Sequence, residues 1–531
     1  MTDDREPRPG RPGRAGGDRP LGRPGSARSR GADPEARRDE SGHHRGAARA
    51  EGRSGRTAAA PSQRARQGDP ARTAAFDVLR EVAASDAYAN LVLPPLLRQR
   101  RIAGRDAAFA TELAYGTLRM RGRYDAVLAL VVDRGLEHVD PAVLDLLRLG
   151  THQLLGMRVP PHAAVSETVA LARAQTGAGS AQFVNAILRR VAEHPVEEWL
   201  ERLAAGAGDE DARLAALWSH PGWIVRAMRE ALVGAGRPAG EIAALLAADD
   251  EPPHVTLVAR PGLATADELT SQARGATPGL LAPTAVRLAG GDPAALPAVR
   301  DGRAGVQDEG SQLVALALAR APLAGRDERW LDLAAGPGGK AALLAAEAAG
   351  RGARLVANEL QPHRARLVRD SLRALPAGSV EEVRTGDGRL VGSLEPGAYD
   401  RVLLDAPCTG LGALRRRPEA RWRRTPADLA ALTQLQRELL ASALAAVRPG
   451  GLVAYVTCSP HLAETRLVVS DALRAATRAG TPATLVDVRP VVADLAPGDA
   501  PDLGDGPQVQ LWPHVHGTDA MHLSLLRRDA S

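Results

Sequence analysis

The chain has 531 residues, too long for one hydrophobic core when domains usually run to about 100–200 residues each. It holds no apolar run of ~18 residues for a membrane span, no apolar stretch behind its first charges for a secretory signal, and only two cysteines, which rules out a disulfide framework. A reducing, cytoplasmic setting is expected. The net charge of +5 is uneven: residues 1–70 carry 16 arginines against 10 acids, a net of +6, and the remainder sums to −1.

Residues 1–70 are rich in Arg, Gly, Pro and Ser and show no apolar period, so they are expected to form a disordered tail. Such a tail is either a solvated extension or a weak, salt-sensitive attractor of nucleic acid. From residue 71 the pattern turns helical. Ala75, Val78, Leu79 and Val82 recur at helical spacing, and further helical patterns cover about 105–119, 141–156, 163–175 and 180–193. Residues 71–195 therefore read as an all-α domain, on which Arg119, Arg189 and Arg190 are either solvated helix faces or RNA-facing. Residues 196–300 mix a helical PGWIVRAMREAL (221–232) with a strand-like HVTLVAR (254–260) and read as a small α+β connector.

Over 301–531 the rhythm becomes strand, turn, helix. WLDLAA (330–335), ARLVANEL (353–360), EEVRTGD (381–387), YDRVLLDAP (399–407) and GLVAYVTCSP (451–460) are short apolar runs separated by helical patterns. That alternation predicts an α/β fold with a parallel sheet covered on both faces, and a ligand site beyond the carboxyl ends of the strands. At the first of those ends stand Ala334, Ala335, Gly336, Pro337, Gly338, Gly339 and Lys340, a glycine-rich strand–helix turn that bares backbone N–H groups. It fits neither the P-loop nor the dinucleotide pattern. Glu359, ~20 residues on, is placed to accept ribose hydroxyls; Asp387, between two glycines, either meets an adenine amino group or shapes a turn. Together they describe an adenosine-type ligand.

Two further strand ends hold the chain's only thiols, Cys408 in Asp405-Ala406-Pro407-Cys408 and Cys458 in Thr457-Cys458-Ser459. Neither lies on an apolar helix face, and a metal pair is the weaker option because ligand-spaced partners are missing. Lys340 is the single lysine against 67 arginines. Shortly after Cys408 the stretches Arg415, Arg416, Arg417 and Arg421, Trp422, Arg423, Arg424 suit phosphate binding and base stacking, or form a solvated basic loop.

These motifs resemble the NusB-fused ribosomal RNA small-subunit cytosine-5 methyltransferases. LDLAAGPGGK is similar to the family's first motif, GDGR (386–389) to its third, and DAPCTGLG and TCS to its fourth and sixth. VQDEGSQL (306–313) matches the lead into the catalytic domain, and LWPHVHGTDAM (511–521) resembles the C-terminal signature. RDAAFATELAYGTLR (105–119), LRLGTHQLL (147–155) and FVNAILRRV (183–191) resemble a NusB-like RNA-binding domain. The resemblance spans 71–530. It departs where Ala334-Ala335-Gly336-Pro337 replaces the usual Cys-Ala-Ala-Pro, and where Glu464-Thr465 replaces Glu-Asn.

The resemblance implies a Rossmann-like class I methyltransferase domain with a seven-stranded, mostly parallel sheet, and S-adenosyl-L-methionine as cofactor. It implies methylation of a cytidine in small-subunit (16S) ribosomal RNA at carbon 5, with Cys458 as nucleophile, Cys408 releasing the adduct and Asp405 holding the cytosine edge. Lys340 is expected beside either the cofactor carboxylate or the target nucleotide. No metal and no membrane partner are expected, and a monomer is. A transfer RNA cytosine-5 methyltransferase, a non-catalytic RNA-binding or assembly protein, and a small-molecule methyltransferase are the alternatives.

Overall fold

The structure, a computed structural model, describes residues 69–85, 87–499 and 501–530; nearly all of the N-terminal tail lies outside them. Among the described residues no helix is long and apolar enough to cross a membrane.

The chain enters the first helix, Pro70–Ala84, through an Asp69 side chain that accepts from Arg72 N at 2.8 Å, with proline at the first helical position. The same Asp–Pro device starts the helix Pro141–Leu155. Helices from Pro70 to Val191 bury Val78, Leu79, Leu113, Leu146, Val184 and Leu188 in one core. That core runs past residue 195, because the helix Val196–Ala205 inserts Trp199 and Leu203 into it.

The following region divides. Its helices Glu210–Leu217, Gly222–Gly234 and Ile242–Asp249 share a core with Leu411, Leu414, Ala420 and Trp512 of the C-terminal part. Its strands β1 (Thr256–Ala259), β2 (Thr277–Pro278), β3 (Ala285–Arg287) and β4 (Ala304–Val306) form an antiparallel sheet in the order β2-β3-β1-β4, with a small core of its own around Leu257, Leu269 and Val286.

The C-terminal sheet is built from β5 (Arg329–Asp332), β6 (Arg354–Glu359), β7 (Val380–Thr385), β8 (Tyr399–Asp405), β9 (Val447–Thr457), β10 (Ala483–Val486), β11 (Val509–Gln510) and β12 (His522–Arg528). The order is β10-β12-β9-β8-β5-β6-β7, with β11 paired to β12. Strands β5 to β9 are parallel, and β12 runs antiparallel to both β9 and β10. Alternation along each strand sends side chains to two separate cores: Leu403, Ala454 and Val456 face one side, and Val402, Leu404, Val453 and Tyr455 the other. The strand order reverses between β5 and β8, where loops leaving the carboxyl ends diverge and open a crevice.

Candidate active site

The loop after β5 is tied to its neighbours before any ligand arrives. Leu333 N donates to Leu403 O at 2.9 Å and Ala335 N to Asn358 O at 2.8 Å, so the sheet pairing continues past the strand end. The Asn358 amide donates to Leu333 O at 3.0 Å and Gly386 O at 3.1 Å, joining the loops after β5 and β7 through the end of β6. Gly338, with φ at +110°, starts the helix Gly339–Ala349 in a left-handed conformation, and a Cβ there would sit 3.0 Å from Val368 Cα. Glu359, 4% exposed, accepts from Gly336 N and Gln361 N, each at 2.9 Å and on a different oxygen. Each oxygen keeps a second lone pair, the number that a pair of ribose hydroxyls requires. Asp387 is more committed. It caps the helix Gly388–Leu394 through Arg389 N at 3.0 Å and takes the Arg389 guanidinium at 2.6–3.0 Å, which holds its carboxyl below the usual range.

Beneath this loop Asp332 is 1% exposed, and neither carboxylate oxygen has a hydrogen-bond partner among the described residues. Burial, reinforced by the charge of Asp405 and opposed by that of Lys340, pushes it up to about 7. A buried acid without partners is a costly feature that a cationic ligand relieves. S-adenosyl-L-methionine fits such a site: Asp405 and the Ala334–Lys340 loop, with Asp332 buried beneath it, could hold the charged methionine end, and Glu359 could hold the ribose hydroxyls.

The thiols come from adjacent strand ends. Cys408 Sγ and Cys458 Sγ stand 3.4 Å apart, both half-buried. Beside them Lys340 Nζ donates to Asp405 Oδ2 at 2.7 Å. The Cys458 thiol is held below its ordinary value by the hydrogen bond from Cys408 and then by the positive charges of Lys340 and Arg417, against burial and Asp405. Cys408 is pushed well up by its hydrogen bond with Cys458, by burial and by the charges of Cys458, Glu464 and Asp405. Beyond their mutual hydrogen bond, Lys340 and Arg417 favour the Cys458 thiolate, and Glu464 disfavours that of Cys408.

Glu464 pins both cysteine loops, a role its place in the sequence did not announce. Fully buried, its carboxylate accepts from Thr409 N at 2.8 Å, Ser459 Oγ at 2.6 Å, Gln436 Nε2 at 3.2 Å and the Thr409 hydroxyl. Gln436 also donates to Pro407 O at 2.8 Å, and Tyr455 OH to Glu464 O at 2.6 Å. Gly412 closes the arrangement: its N–H donates to Cys458 O and its carbonyl accepts from Ala520 N, both at 2.8 Å. A Cβ at that position would lie 2.2 Å from Ala520 O, so only glycine fits.

The basic stretch after Cys408, expected either to meet RNA or to form a solvated loop, points mostly inward. Arg415 and Arg416 bond Asp519 at 3.1 and 2.9 Å, and Arg416 also bonds Asp308 at 2.5 Å. Arg421 is 0% exposed and donates to Arg119 O, Ser219 O, Asp249 O and Asp250 Oδ1 at 2.7–3.1 Å. Trp422 is half-buried under Arg121, whose guanidinium lies 5.4 Å from its ring, and Arg423 donates to Val82 O and Ala87 O at 2.7 Å. Backbone carbonyls and buried acids take up these guanidiniums. Arg417 is exposed, with its guanidinium 4.8 Å from the Tyr88 ring, and Arg424 is half-buried. In the helical block Arg119 is buried, while Arg189 and Arg190 are exposed.

A parallel sheet whose order reverses at β5 and β8, with a glycine turn and a ribose-type acid at its carboxyl edge, defines a class I, S-adenosyl-L-methionine-dependent methyltransferase. The family described as 16S rRNA methyltransferase RsmB/F matches residues 321–527, and the NusB family matches residues 69–193. Rv1407 of Mycobacterium tuberculosis is 56% identical over 461 residues, 87% of this chain and 97% of that protein. Ribosomal RNA small subunit methyltransferase B of Salmonella paratyphi B is 32% identical over 82% of this chain and 96% of its own. The crystal structure of PH0851 shares the fold, with a TM-score of 0.70 at 21% identity, covering 87% of this chain and 99% of that one. The chain belongs to the RsmB/F family of methyltransferases, in the form that carries an N-terminal NusB domain.

Proposed function

We propose that this enzyme methylates carbon 5 of a cytidine in small-subunit ribosomal RNA through a covalent adduct with Cys458. The observation that carries the reading is the pair of thiols 3.4 Å apart, beside an Asp405–Lys340 ion pair, at the edge of the cofactor crevice. The relatives named as ribosomal RNA small subunit methyltransferases support the choice of RNA.

Carbon 5 of cytosine is a weak nucleophile. Addition of the Cys458 thiolate to carbon 6 moves an electron pair onto carbon 5, and covalent activation of this kind divides one difficult step into two easier ones. The cofactor supplies an electrophilic methyl group on a sulfonium. Asp405, held by Lys340, grips the cytosine edge. After transfer, the carbon-5 proton goes to Cys408 and on to solvent, the carbon 6–sulfur bond breaks, and Cys458 leaves as thiolate. The thiol pair suits this order. While Cys458 is free, its charge and its hydrogen bond keep Cys408 protonated; once that charge is consumed in the adduct, both causes vanish, Cys408 loses its proton to solvent, and its thiolate can take the carbon-5 proton.

RNA containing 5-fluorocytidine blocks proton removal and traps the adduct. A covalent complex is expected with the wild type and none with Cys458→Ala, while Cys408→Ala on ordinary RNA is expected to accumulate an adduct that does not resolve. Trapping that survives Cys458→Ala but not Cys408→Ala reverses the roles. Methyl transfer to transfer RNA and not to small-subunit ribosomal RNA overturns the substrate, and failure to form any 5-methylcytidine overturns the reaction.

A further inference from the structure

A cavity of about 630 Å³ lies at the seam between the NusB-like domain and the segment that follows Cys408. Arg80, Arg121, Asp145 and Arg148 of the helical domain line it, and Trp422 and Glu419 line it from the catalytic domain. Arg423 and Glu137 line it as well, and its ion pairs differ in tightness. Arg148 holds Asp125 with two bonds at 2.6 and 2.8 Å and Asp145 at 2.9 Å, and Arg80 holds the same Asp145 at 2.8 Å. Among the arginines on the helical side of the cavity, Arg121 is the most loosely paired. Its ion pair to Asp125 stands off at 3.7 Å, and its Nε has no hydrogen-bond partner among the described residues. Its guanidinium instead faces the Trp422 ring at 5.4 Å. Glu419, lining the same space at 3% exposure, has one carboxylate oxygen without a partner among the described residues.

A loosely paired guanidinium against an indole suits a ligand that combines a phosphate with an aromatic face. A guanidinium fork grips phosphate bidentately, and indole and guanidinium planes stack on unpaired bases. The volume falls within the roughly 300–1,000 Å³ of sites that enclose a small ligand.

We propose that this cavity takes an unpaired nucleotide of the RNA substrate, distinct from the target cytosine, with its phosphate at Arg121 and Arg80 and its base against the Arg121–Trp422 wall. The inference rests on the RNA-methylating function proposed above. RNA is favoured over a free nucleotide because the substrate proposed above is RNA and Trp422 lies on the segment that also carries Cys408.

The test measures equilibrium binding of a small-subunit ribosomal RNA fragment to the full chain across a KCl series, with Arg121→Gln, Arg121→Lys and the rim variant Arg80→Gln. Arg121→Gln is expected to weaken RNA binding about five- to tenfold and to reduce the salt slope by about one. Cofactor binding and kcat at saturating RNA are expected to stay within about twofold, since the site positions RNA away from the chemistry. Arg121→Lys, which keeps the charge and loses the fork, is expected to recover part of the affinity. Should Arg121→Gln fail to fold, Arg80→Gln alone gives the slope. Ultraviolet crosslinking of the same RNA is expected to label peptides spanning 117–122 or 418–423. Unchanged affinity and slope in both glutamine variants, with no crosslink there, overturn the proposal. Cytidine monophosphate binding the cavity as tightly as the RNA does would assign it to a free nucleotide instead. RNA binding is read independently of methylation, so loss of the catalytic reading leaves a distinct signature: the Arg121 effect persists while no 5-methylcytidine forms.

Discussion

Lys340 stands at the junction of the cofactor loop and the thiol pair, and its ammonium does two jobs there. Burial by itself would lower its pKa, but Asp405, at 2.7 Å, raises it above the ordinary value and so keeps the cation in place. That cation in turn helps to hold the Cys458 thiol low. A thiol held below its usual value populates the reactive thiolate at lower pH, so the acidic limb of the pH–rate profile belongs to Cys458. Lys340→Gln is expected to move that limb of kcat/KM to higher pH, by on the order of one unit, because one nearby opposite charge is lost. The rate of 5-fluorocytidine trapping as a function of pH measures it. A limb that stays where it was would mean that the Cys408 hydrogen bond alone sets the thiolate. The two cysteines, Asp405 and Lys340 were legible in the sequence because rare, reactive residue types fall at successive strand ends. Glu464 was not, since its four donors come from Thr409, Gln436 and Ser459, and no spacing rule links those positions.

At the scale of elements, the segment from Asp405 to Arg424 acts as a strap. Its first half is fixed to the site through Gly412, Cys458 O and Ala520, and its second half reaches the NusB-like domain and the connector helices through Glu419, Arg421 and Arg423. Arg421 donates to the carbonyls that end two helices, Gly104–Arg119 and Ile242–Asp249, and forms an ion pair with Asp250. Removing one member of a buried pair leaves the other uncompensated, so Arg421→Met is expected to cost about 3–5 kcal/mol in urea unfolding. Pairing it with Asp250→Asn is expected to recover part of that loss. Equal stability of Arg421→Met and wild type would show that the strap is held elsewhere. Strands β5 to β9 were readable from their apolar runs, whereas β10 and β12 were not assigned. Strand β12 carries buried His522 and Ser524 and ends in arginines, and β10 is four residues long, so neither makes an apolar run. The inward course of the arginines escaped for a related reason: a charge run announces affinity for anions and dipoles, but not whether these come from RNA or from the protein's own helix ends.

Over the whole molecule, the three regions meet at a seam whose titration makes stability depend on pH. Two buried groups beside Arg421 act in opposite directions. Burial pushes the carboxyl of Asp249 up to about 7, with Arg421, Arg415 and His514 opposing, from an ordinary value of 3.8. Between those values the folded chain keeps a proton that the unfolded chain has released, so stability falls as pH rises through the window. Burial and the charge of Arg421 take His220, whose Nε2 lies 3.8 Å from Asp249 Oδ2, down to about 3 from 6.5. There the unfolded chain binds the proton that the fold refuses, so stability falls as pH drops below the ordinary histidine value. Asp249→Asn removes the first effect and leaves the second. Its stability relative to wild type is therefore expected to improve by on the order of 2–3 kcal/mol between pH 5 and pH 8. The comparison across pH is the informative one, because the new amide brings its own unpaired donors at every pH. Parallel curves for variant and wild type, from urea unfolding at each pH, would show that Asp249 does not titrate within the seam and that Arg421 meets a constant charge there.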